Sequence, residues 1–133
     1  MMIPCEIAVK SVIPAIRAYV AKELTQTYKL KQNDVAKLLG ITQTAISKYV
    51  RDVRGRVIRI DQAEEIRNVM NQIASQAATD KISGPQLTLK LCGVCKMVRQ
   101  NGIMCELCKR YDPVLDINLC KVCMSGPNCA TVV

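Results

Sequence analysis

The chain has 133 residues, half of them apolar, and a formal net charge of +8, which suits one ordinary domain or two small ones with a basic surface. It has no Phe, Trp or His and only four Tyr, so its core must be aliphatic and any metal site must be built mainly from thiolates. No apolar run approaches the roughly 18 residues of a membrane-spanning helix, and residues 1–10 lack the features of a secretion signal, so we expect a cytoplasmic protein.

The positive charge lies almost entirely in the first part of the chain. Residues 1–60 carry 11 Lys or Arg against 4 Asp or Glu, a net +7, whereas residues 61–133 carry 8 against 7, a net +1. A basic patch of this kind neutralises phosphates and gives an affinity for nucleic acid that falls steeply with salt. A basic surface that only aids solubility is the alternative.

Residues 1–10, with an early proline, are predicted to be extended or irregular. A first helix is predicted over about residues 13–28, with Ser11 as its cap and Pro14 in its first turn. The apolar residues of this helix repeat at helical spacing: Ile13, Ile16, Val20 and Leu24.

Residues 32–51 have the pattern of two short helices joined by a tight turn. A second helix is predicted over residues 32–39, Gly40 can adopt the left-handed conformation that ends it, and Thr42 caps a third helix that runs to about Val50. The apolar residues of this stretch are expected on one shared inner face: Val35, Ala36, Leu39, Ile41, Ala45, Ile46, Tyr49 and Val50. This is the helix-turn-helix arrangement, whose second helix enters the DNA major groove.

The following residues, 51–59, are basic and interrupted by Gly55, and we expect them to run along phosphates. Asp61 is predicted to cap a fourth helix over about residues 62–77. The apolar residues of that helix alternate three and four apart: Ala63, Ile66, Met70, Ile73 and Ala77. Such a seam packs either on a second subunit or on the chain's own first three helices.

Residues 79–84 are polar and are predicted to form a hinge, after which Ser83 and Pro85 indicate a fifth helix.

The predicted fold class is mainly α, with an N-terminal helix-turn-helix bundle of four to five helices and a small cysteine-rich, metal-bound C-terminal module. The predicted division is a DNA-binding domain over residues 1–60, a linking or dimerisation helix and hinge over 61–84, and a cysteine-rich metal-binding module over 85–133.

Seven of the eight cysteines follow residue 91, and six of them form three pairs of identical spacing: Cys92/Cys95, Cys105/Cys108 and Cys120/Cys123. Two cysteines separated by two residues can form a knuckle that presents both sulfurs to one metal, and two knuckles make a four-thiolate site. In a reducing cytoplasm this spacing predicts that these six cysteines ligate metal. Buried free thiols or a heat-adapted disulfide framework are the alternatives. Cys129 can serve as a seventh ligand, and Cys5 is left without an assigned role.

The identity of the metal stays open between zinc and a [4Fe–4S] iron–sulfur cluster. Six paired thiols exceed the four that either group needs, so one pair is spare, forms a disulfide or bridges two metals. Surplus thiols next to a DNA-binding domain suit redox sensing, which slightly favours the cluster. The knuckle spacing, on the other hand, is typical of zinc ribbons, which are usually structural.

The stretch DVAKLLGITQTAISKYVRDVRG carries a resemblance to the Cro/C1 (XRE) helix-turn-helix regulators, which extends over about residues 13–60. In that family the residues that open and line the recognition helix contact base edges, which implies this role for Thr42, Gln43, Thr44, Ser47 and Lys48. Gln43 can pair with adenine, and Thr44 can contact a thymine methyl group. The resemblance also implies that Gln32 binds a phosphate. The remaining phosphate contacts are predicted for Arg51, Arg54 and Arg56.

The opening IPCEIAVKSVIPAIRAYVAKEL, together with the paired cysteines, resembles archaeal regulators that join an N-terminal DNA-binding domain to a C-terminal cysteine-rich module. This resemblance implies a transcriptional regulator. One recognition helix reads few base pairs, so a homodimer on a palindromic site in double-stranded DNA is expected, with affinity tuned by the metal state.

The alternative is a non-enzymatic adaptor whose zinc-knuckle tail contacts the transcription machinery. An enzyme is not expected, because the chain has no His base, no glycine-rich phosphate loop and no paired catalytic carboxylates. Although CxxC pairs can exchange disulfides, no thioredoxin-like alternation of strands and helices surrounds them. Neither a membrane nor a small-molecule substrate is an expected partner.

Overall fold

The computed structural model describes residues 3–52, 54–55, 57–79, 82, 84–120 and 122–125. These residues form α-helices and one π-helical turn, with no strand among them, which confirms the mainly α fold class. No helix in these ranges is both long enough and apolar enough to cross a bilayer. The bounds in chain order are α1 Pro4–Lys10, α2 Val12–Lys22 continued by the π-helical turn Glu23–Thr27, α3 Gln32–Leu39, α4 Gln43–Val50, α5 Glu64–Thr79, α6 Gly84–Gln100, α7 Cys105–Tyr111 and α8 Val122–Ser125.

The N-terminal segment is helical, so the prediction that residues 1–10 are irregular was wrong. Pro4 occupies the first position of α1, where its missing N–H group would have no intrahelical partner in any case. The carboxylate of Glu6 accepts a hydrogen bond from the backbone N–H of Ile3 at 3.2 Å. α1 is held in place because its Ile7 and Ala8 are buried in the core.

Ser11 lies between α1 and α2, at the position predicted for a cap, but its side chain acts on the other helix. Its hydroxyl donates to the carbonyl oxygen of Ile7 at 2.7 Å, and the side chain makes no capping hydrogen bond to α2. Ser11 is fully buried, so this bond satisfies a polar group that would otherwise be costly inside the core.

The helix-turn-helix stretch follows the sequence prediction closely. α3 has the predicted bounds, and Gly40 ends it in the left-handed conformation, with φ of 67° and ψ of 31°. Thr42 caps α4, because its Oγ1 accepts a hydrogen bond from the backbone N–H of Ala45 at 3.1 Å.

The apolar seam of α5 packs inside the chain. Ile66, Met70, Ile73 and Ala77 are all buried, and α5 contacts α2 and α6 of the same chain. Of the two neighbours predicted for this seam, the chain's own helices are therefore the one observed, and the seam is closed to a second subunit. α5 begins at Glu64, so Asp61 lies in the preceding turn and does not cap the helix.

α6 shares the core of the DNA-binding segment. Its Leu87, Val94 and Val98 are buried, and the helix contacts α2, α3 and α5. The fifth predicted helix is thereby confirmed, whereas Ser83, which was expected to start it, lies outside the described residues, as do residues 80 and 81 of the expected hinge. The division into segments 1–60, 61–84 and 85–133 stays a prediction.

Candidate nucleic-acid interface and cysteine cluster

The inner face of the helix pair α3–α4 is the one that the sequence predicts. Four of its eight residues are buried: Val35, Ala36, Ile46 and Tyr49. The other four are half-buried and pack against the same core: Leu39, Ile41, Ala45 and Val50. α4 rests on α2 and α3 through this face, so its opposite face points to solvent.

The residues predicted to contact bases and phosphates lie at the surface. Thr42, Gln43 and Thr44 are exposed at the start of α4, and Ser47 and Lys48 are half-exposed one turn further on. Arg51 and Arg54 are exposed, whereas Arg56 lies outside the described residues. Although the Thr42 oxygen accepts the capping bond, its hydroxyl hydrogen and its second lone pair are left for a contact with DNA.

Gln43 and Gln32 are linked directly, although they begin different helices. Gln43 Nε2 donates to Gln32 Oε1 at 2.9 Å. An amide nitrogen has two hydrogens, so Gln43 keeps one N–H and its Oε1 for a bidentate contact with adenine. The bond fixes the side chain that is predicted to read a base to the side chain that is predicted to bind a phosphate.

The connector after α4 is anchored to α2. Asp52, with a positive φ of 60°, forms an ion pair with Lys22. Gly55, with φ of 84°, lies so close to α2 that a Cβ atom there would be 2.7 Å from the carbonyl oxygen of Pro14 and 2.8 Å from the Cβ of Ala18. These two contacts hold the exposed Arg54 between them next to the helix pair.

Two short helices joined through a tight turn, with a buried inner face and a polar, basic outer face, define a helix-turn-helix DNA-binding domain. Residues 22–72 match a family of helix-turn-helix domains, in agreement with this geometry. The match covers less than half of the chain and includes the connector and the first half of α5. No curated protein and no solved structure gives a match to the chain.

The first two cysteine pairs lie on helices rather than in knuckle turns, and of the third pair only Cys123 is helical. Cys92 and Cys95 belong to α6, Cys105 and Cys108 to α7, and Cys123 to α8. On a helix, residues three apart share a face, so Cys92 and Cys95 present their sulfurs in one direction, and so do Cys105 and Cys108. The seven described cysteines are half-buried and form no disulfide, and Cys129 lies outside the described residues.

Two of the three predicted pairs meet at one cavity of about 230 Å³. Its lining includes the thiols of Cys105, Cys108, Cys120 and Cys123, together with Arg99 and residues of α1. Cys92 and Cys95 are not part of this lining. Across the described residues, no three Cys, Asp or Glu side chains are grouped closely enough to hold a metal ion. The structure thus brings four donors to one cavity without a finished metal site, and the six-ligand assignment stays a prediction.

Arg99, which the sequence analysis did not single out, lies among the thiols. Its Nη1 donates to Cys5 Sγ at 3.6 Å, and its Nε is buried without a hydrogen-bond partner. Burial acts to lower the pKa of Arg99, but the hydrogen bond to Cys123 and the charges of Cys123, Cys5 and Cys95 outweigh it, so this pKa lies above its usual value. The signal in the sequence was the spacing, because Arg99 follows Cys95 by four residues and so shares its helix face.

Three of the thiols, those of Cys95, Cys105 and Cys108, have a raised pKa and so are shifted toward the neutral form. Burial raises the pKa of Cys95, and the positive charge of Arg99 partly offsets that effect. Burial also raises the pKa of Cys105 and Cys108, and the neighbouring charges of Cys123 and Cys120 add to it. A metal that binds here must therefore displace protons, as thiolate ligation generally requires.

Proposed function

We propose that the protein is a sequence-specific transcriptional regulator that binds double-stranded DNA in the cytoplasm and has no enzymatic activity. The observation that carries the proposal is the two-sided character of α4. One face is buried against α2 and α3, and the other presents exposed polar and basic side chains. The net charge of +7 on residues 1–60 supplies the attraction to phosphates.

The residues divide by role. Gln43 and Thr44 are placed to read base edges, with Thr42, Ser47 and Lys48 beside them. Phosphate contacts, which fix the orientation without reading sequence, are assigned to Gln32, Arg51, Arg54 and Arg56. The Gln43–Gln32 hydrogen bond supports this division, since it couples one member of each set.

A homodimer is part of the proposal, because one recognition helix of this length reads too few base pairs for useful specificity. The α5 seam is buried within the chain and is not the surface that joins two copies. A two-fold symmetric operator is the expected consequence.

The cysteine region is proposed to hold a thiolate-ligated metal group, zinc or a [4Fe–4S] cluster, that tunes DNA binding. Support comes from the donor set and from Arg99, a partly buried cation with only thiols as its described hydrogen-bond partners. Zinc requires four sulfurs within about 2.3 Å of one ion, whereas a cluster gives each thiolate its own iron. No three of the described side chains are close enough to share an ion, so either group requires the thiols to move closer together.

Selection of bound duplexes from a random DNA pool, followed by footprinting, tests the function. We expect a palindromic sequence to be enriched, and its affinity to fall steeply as salt is raised. The triple variant Gln43→Ala, Thr44→Ala, Lys48→Ala serves as the control and should enrich no sequence. Enrichment of no sequence by the wild-type protein, with a shallow dependence on salt, would refute sequence-specific binding and would favour the adaptor.

Metal analysis of protein purified without oxygen tests the cysteine part separately. Iron and sulfide in equal amounts with a brown colour indicate the cluster, and a colourless protein with stoichiometric zinc indicates the structural metal. A protein that takes up neither would contradict a metal role while leaving the DNA-binding proposal intact.

A further inference from the structure

Three separate elements meet at the guanidinium of Arg99. Cys5 comes from α1, Cys95 from α6 and Cys123 from α8, and each interacts with the same side chain. Cys5 and Arg99 are 94 positions apart in sequence, so only the fold brings them together. Ile3, Pro4 and Ile7, at the start of the chain, line the same cavity as Cys123 and three further cysteines, whereas Cys5 is not part of that lining.

The side chain of Arg99 is half-buried with its Nε shielded from water, so a nearby negative charge would stabilise its guanidinium. Neutral thiols are weak hydrogen-bond acceptors, and a charge taken out of water is costly unless it is paired. Across the described residues no carboxylate forms an ion pair with Arg99, and its buried Nε has no acceptor. Thiolates would supply both the charge and stronger, charge-assisted hydrogen bonds.

A metal-bound state supplies that negative charge. Four thiolates outweigh the two positive charges of zinc, so a four-thiolate zinc site is a net anion, and a cluster held by four thiolates is anionic as well. Cations and hydrogen-bond donors next to such ligands commonly tune the affinity for the metal.

We propose that Arg99 and Cys5 belong to the cysteine centre: Cys5 supplies a further thiolate, and Arg99 is the positioning cation that offsets the negative charge of the thiolates. The proposal rests on the metal role of the cysteine region given above. It adds two residues that the paired-cysteine pattern leaves out. Because α1 packs on α2 and α2 packs on α4, Cys5 also connects the centre to the recognition helix.

Alkylation of the unmodified wild-type protein tests the role of Cys5 without any substitution. The metal-free, reduced protein is treated with iodoacetamide before and after loading, either with Zn²⁺ alone or with ferrous iron and sulfide under anaerobic conditions. Peptide mass spectrometry then measures the alkylation rate of each cysteine. Protection of Cys5 together with the paired cysteines supports the proposal, and equal alkylation of Cys5 in loaded and metal-free protein overturns it.

Substitutions at Arg99 test the role of the cation. We expect Arg99→Met to weaken Zn²⁺ binding, or to lower the iron bound per chain, by about tenfold. Arg99→Lys should stay close to wild type, because it keeps the charge. Arg67→Met is the matched control, since Arg67 donates to the backbone carbonyl of Asp61 on another part of the fold. Equal metal binding by Arg99→Met and wild type would overturn the role of the cation.

Neither experiment involves DNA, so the result does not depend on the helix-turn-helix function. If the wild-type protein binds no metal under either loading condition, the cysteine centre and this inference fail together. If metal binding behaves as expected but no DNA sequence is enriched, only the DNA-binding proposal fails.

Discussion

The interactions that define the helix-turn-helix stretch are local in sequence, whereas those of the cysteine region join residues that are far apart in sequence. In the helix-turn-helix stretch, each key residue acts on close neighbours in the chain. Gly40 ends α3, and Thr42 caps α4 by accepting a hydrogen bond from the backbone N–H of Ala45, three residues later. In the cysteine region, Arg99 finds its partner Cys5 at the other end of the chain. A motif whose interactions span a few residues can be recognised from sequence, whereas a cluster assembled by the fold requires the structure.

The first prediction asks whether the two regions unfold as one unit. Ile46 in α4 and Met104 next to α7 are at most 1% exposed and belong to one buried cluster. Ile46→Ala and Met104→Ala should each lower the free energy of unfolding by about 2–5 kcal/mol. Both should shift the same single transition, which urea unfolding of the metal-free, reduced protein followed by circular dichroism would detect.

Leu119→Ala is the control for this pair, because Leu119 is 77% exposed and its loss should change stability by less than about 0.5 kcal/mol. Two separate transitions, with Met104→Ala affecting only one of them, would show that the cysteine region folds independently. That outcome would support the predicted boundary before residue 85 and would contradict the shared core.

The second prediction concerns the two glycines that flank the recognition helix. Both have positive φ, which costs a residue with a Cβ roughly 1–2 kcal/mol. A Cβ at Gly40 meets nothing within 4 Å, whereas one at Gly55 collides with α2. Gly40→Ala should therefore destabilise the protein by about 1–2 kcal/mol and Gly55→Ala by about 2–4 kcal/mol, since overpacking is added to the strain. Thermal unfolding of both variants measures the difference, and equal losses would mean that the connector is not held against α2.

The contrast between the regions also explains which predictions succeeded. The bounds of α3 and α4 followed from apolar spacing, a left-handed glycine and a threonine cap, all of which act within a few residues. The sequence analysis did not predict α1, because an early proline is typical of irregular structure. The same proline, with an acidic residue two positions later, is equally typical of a helix start.

The cysteine region resisted prediction for a different reason. The CxxC spacing is compatible both with a knuckle turn and with two neighbouring positions on a helix face, and the flanking residues of α6 and α7 favour helices. The role of Arg99 depends on its contact with Cys5 of α1, 94 positions away, which no local pattern encodes. Spacing alone therefore predicts which cysteines are candidate ligands but does not predict the contact between Arg99 and Cys5.

The third prediction separates affinity from base choice at the DNA surface. Lys48→Ala and Arg54→Ala should each weaken binding to all sequences by ~1 kcal/mol, because they remove a positive charge near phosphates. Quantitative gel shifts on the selected operator and on random duplex measure the affinity of each variant for specific and for non-specific DNA. A loss confined to the operator would show that the residue acts through a base contact, the role that the family resemblance implies for Lys48, rather than through phosphates.

The fourth prediction uses the hydrogen bond between the two glutamines. Gln43→Ala should relax the preference at a single base pair, because it removes the side chain that is placed to read it. Gln32→Ala should relax the same position partially, since Gln43 then loses the acceptor that orients it at 2.9 Å. Repeating the duplex selection with each variant measures base preference position by position. Unchanged preference in Gln43→Ala would remove this residue from the reading set.

The fifth prediction has the smallest expected effect and concerns the dependence of stability on alkaline pH, which we expect to arise in the cysteine region. Burial raises the folded-state pKa of Cys95, Cys105 and Cys108 above its ordinary value of 9.0. Below about pH 9 the thiols keep their protons in both states, so their contribution to stability is fully present. Above that pH the unfolded chain releases protons before the folded protein does. The free energy of unfolding of the metal-free protein should therefore fall as the pH rises through the folded-state pKa.

Urea unfolding of the metal-free protein at about pH 8, 9 and 10 measures this loss of stability, because these pH values cover the range in which free thiols titrate. The slope should be shallower in Cys95→Ala, which removes one of the shifted thiols. It should be shallower still in metal-loaded protein, because bound thiolates have already given up their protons. Tyr19, whose pKa is raised from 10.0 by burial, adds a later loss in every form, so the comparison rests on the difference between variants. An identical slope in metal-free protein, Cys95→Ala and metal-loaded protein would place the alkaline loss outside the cysteine region.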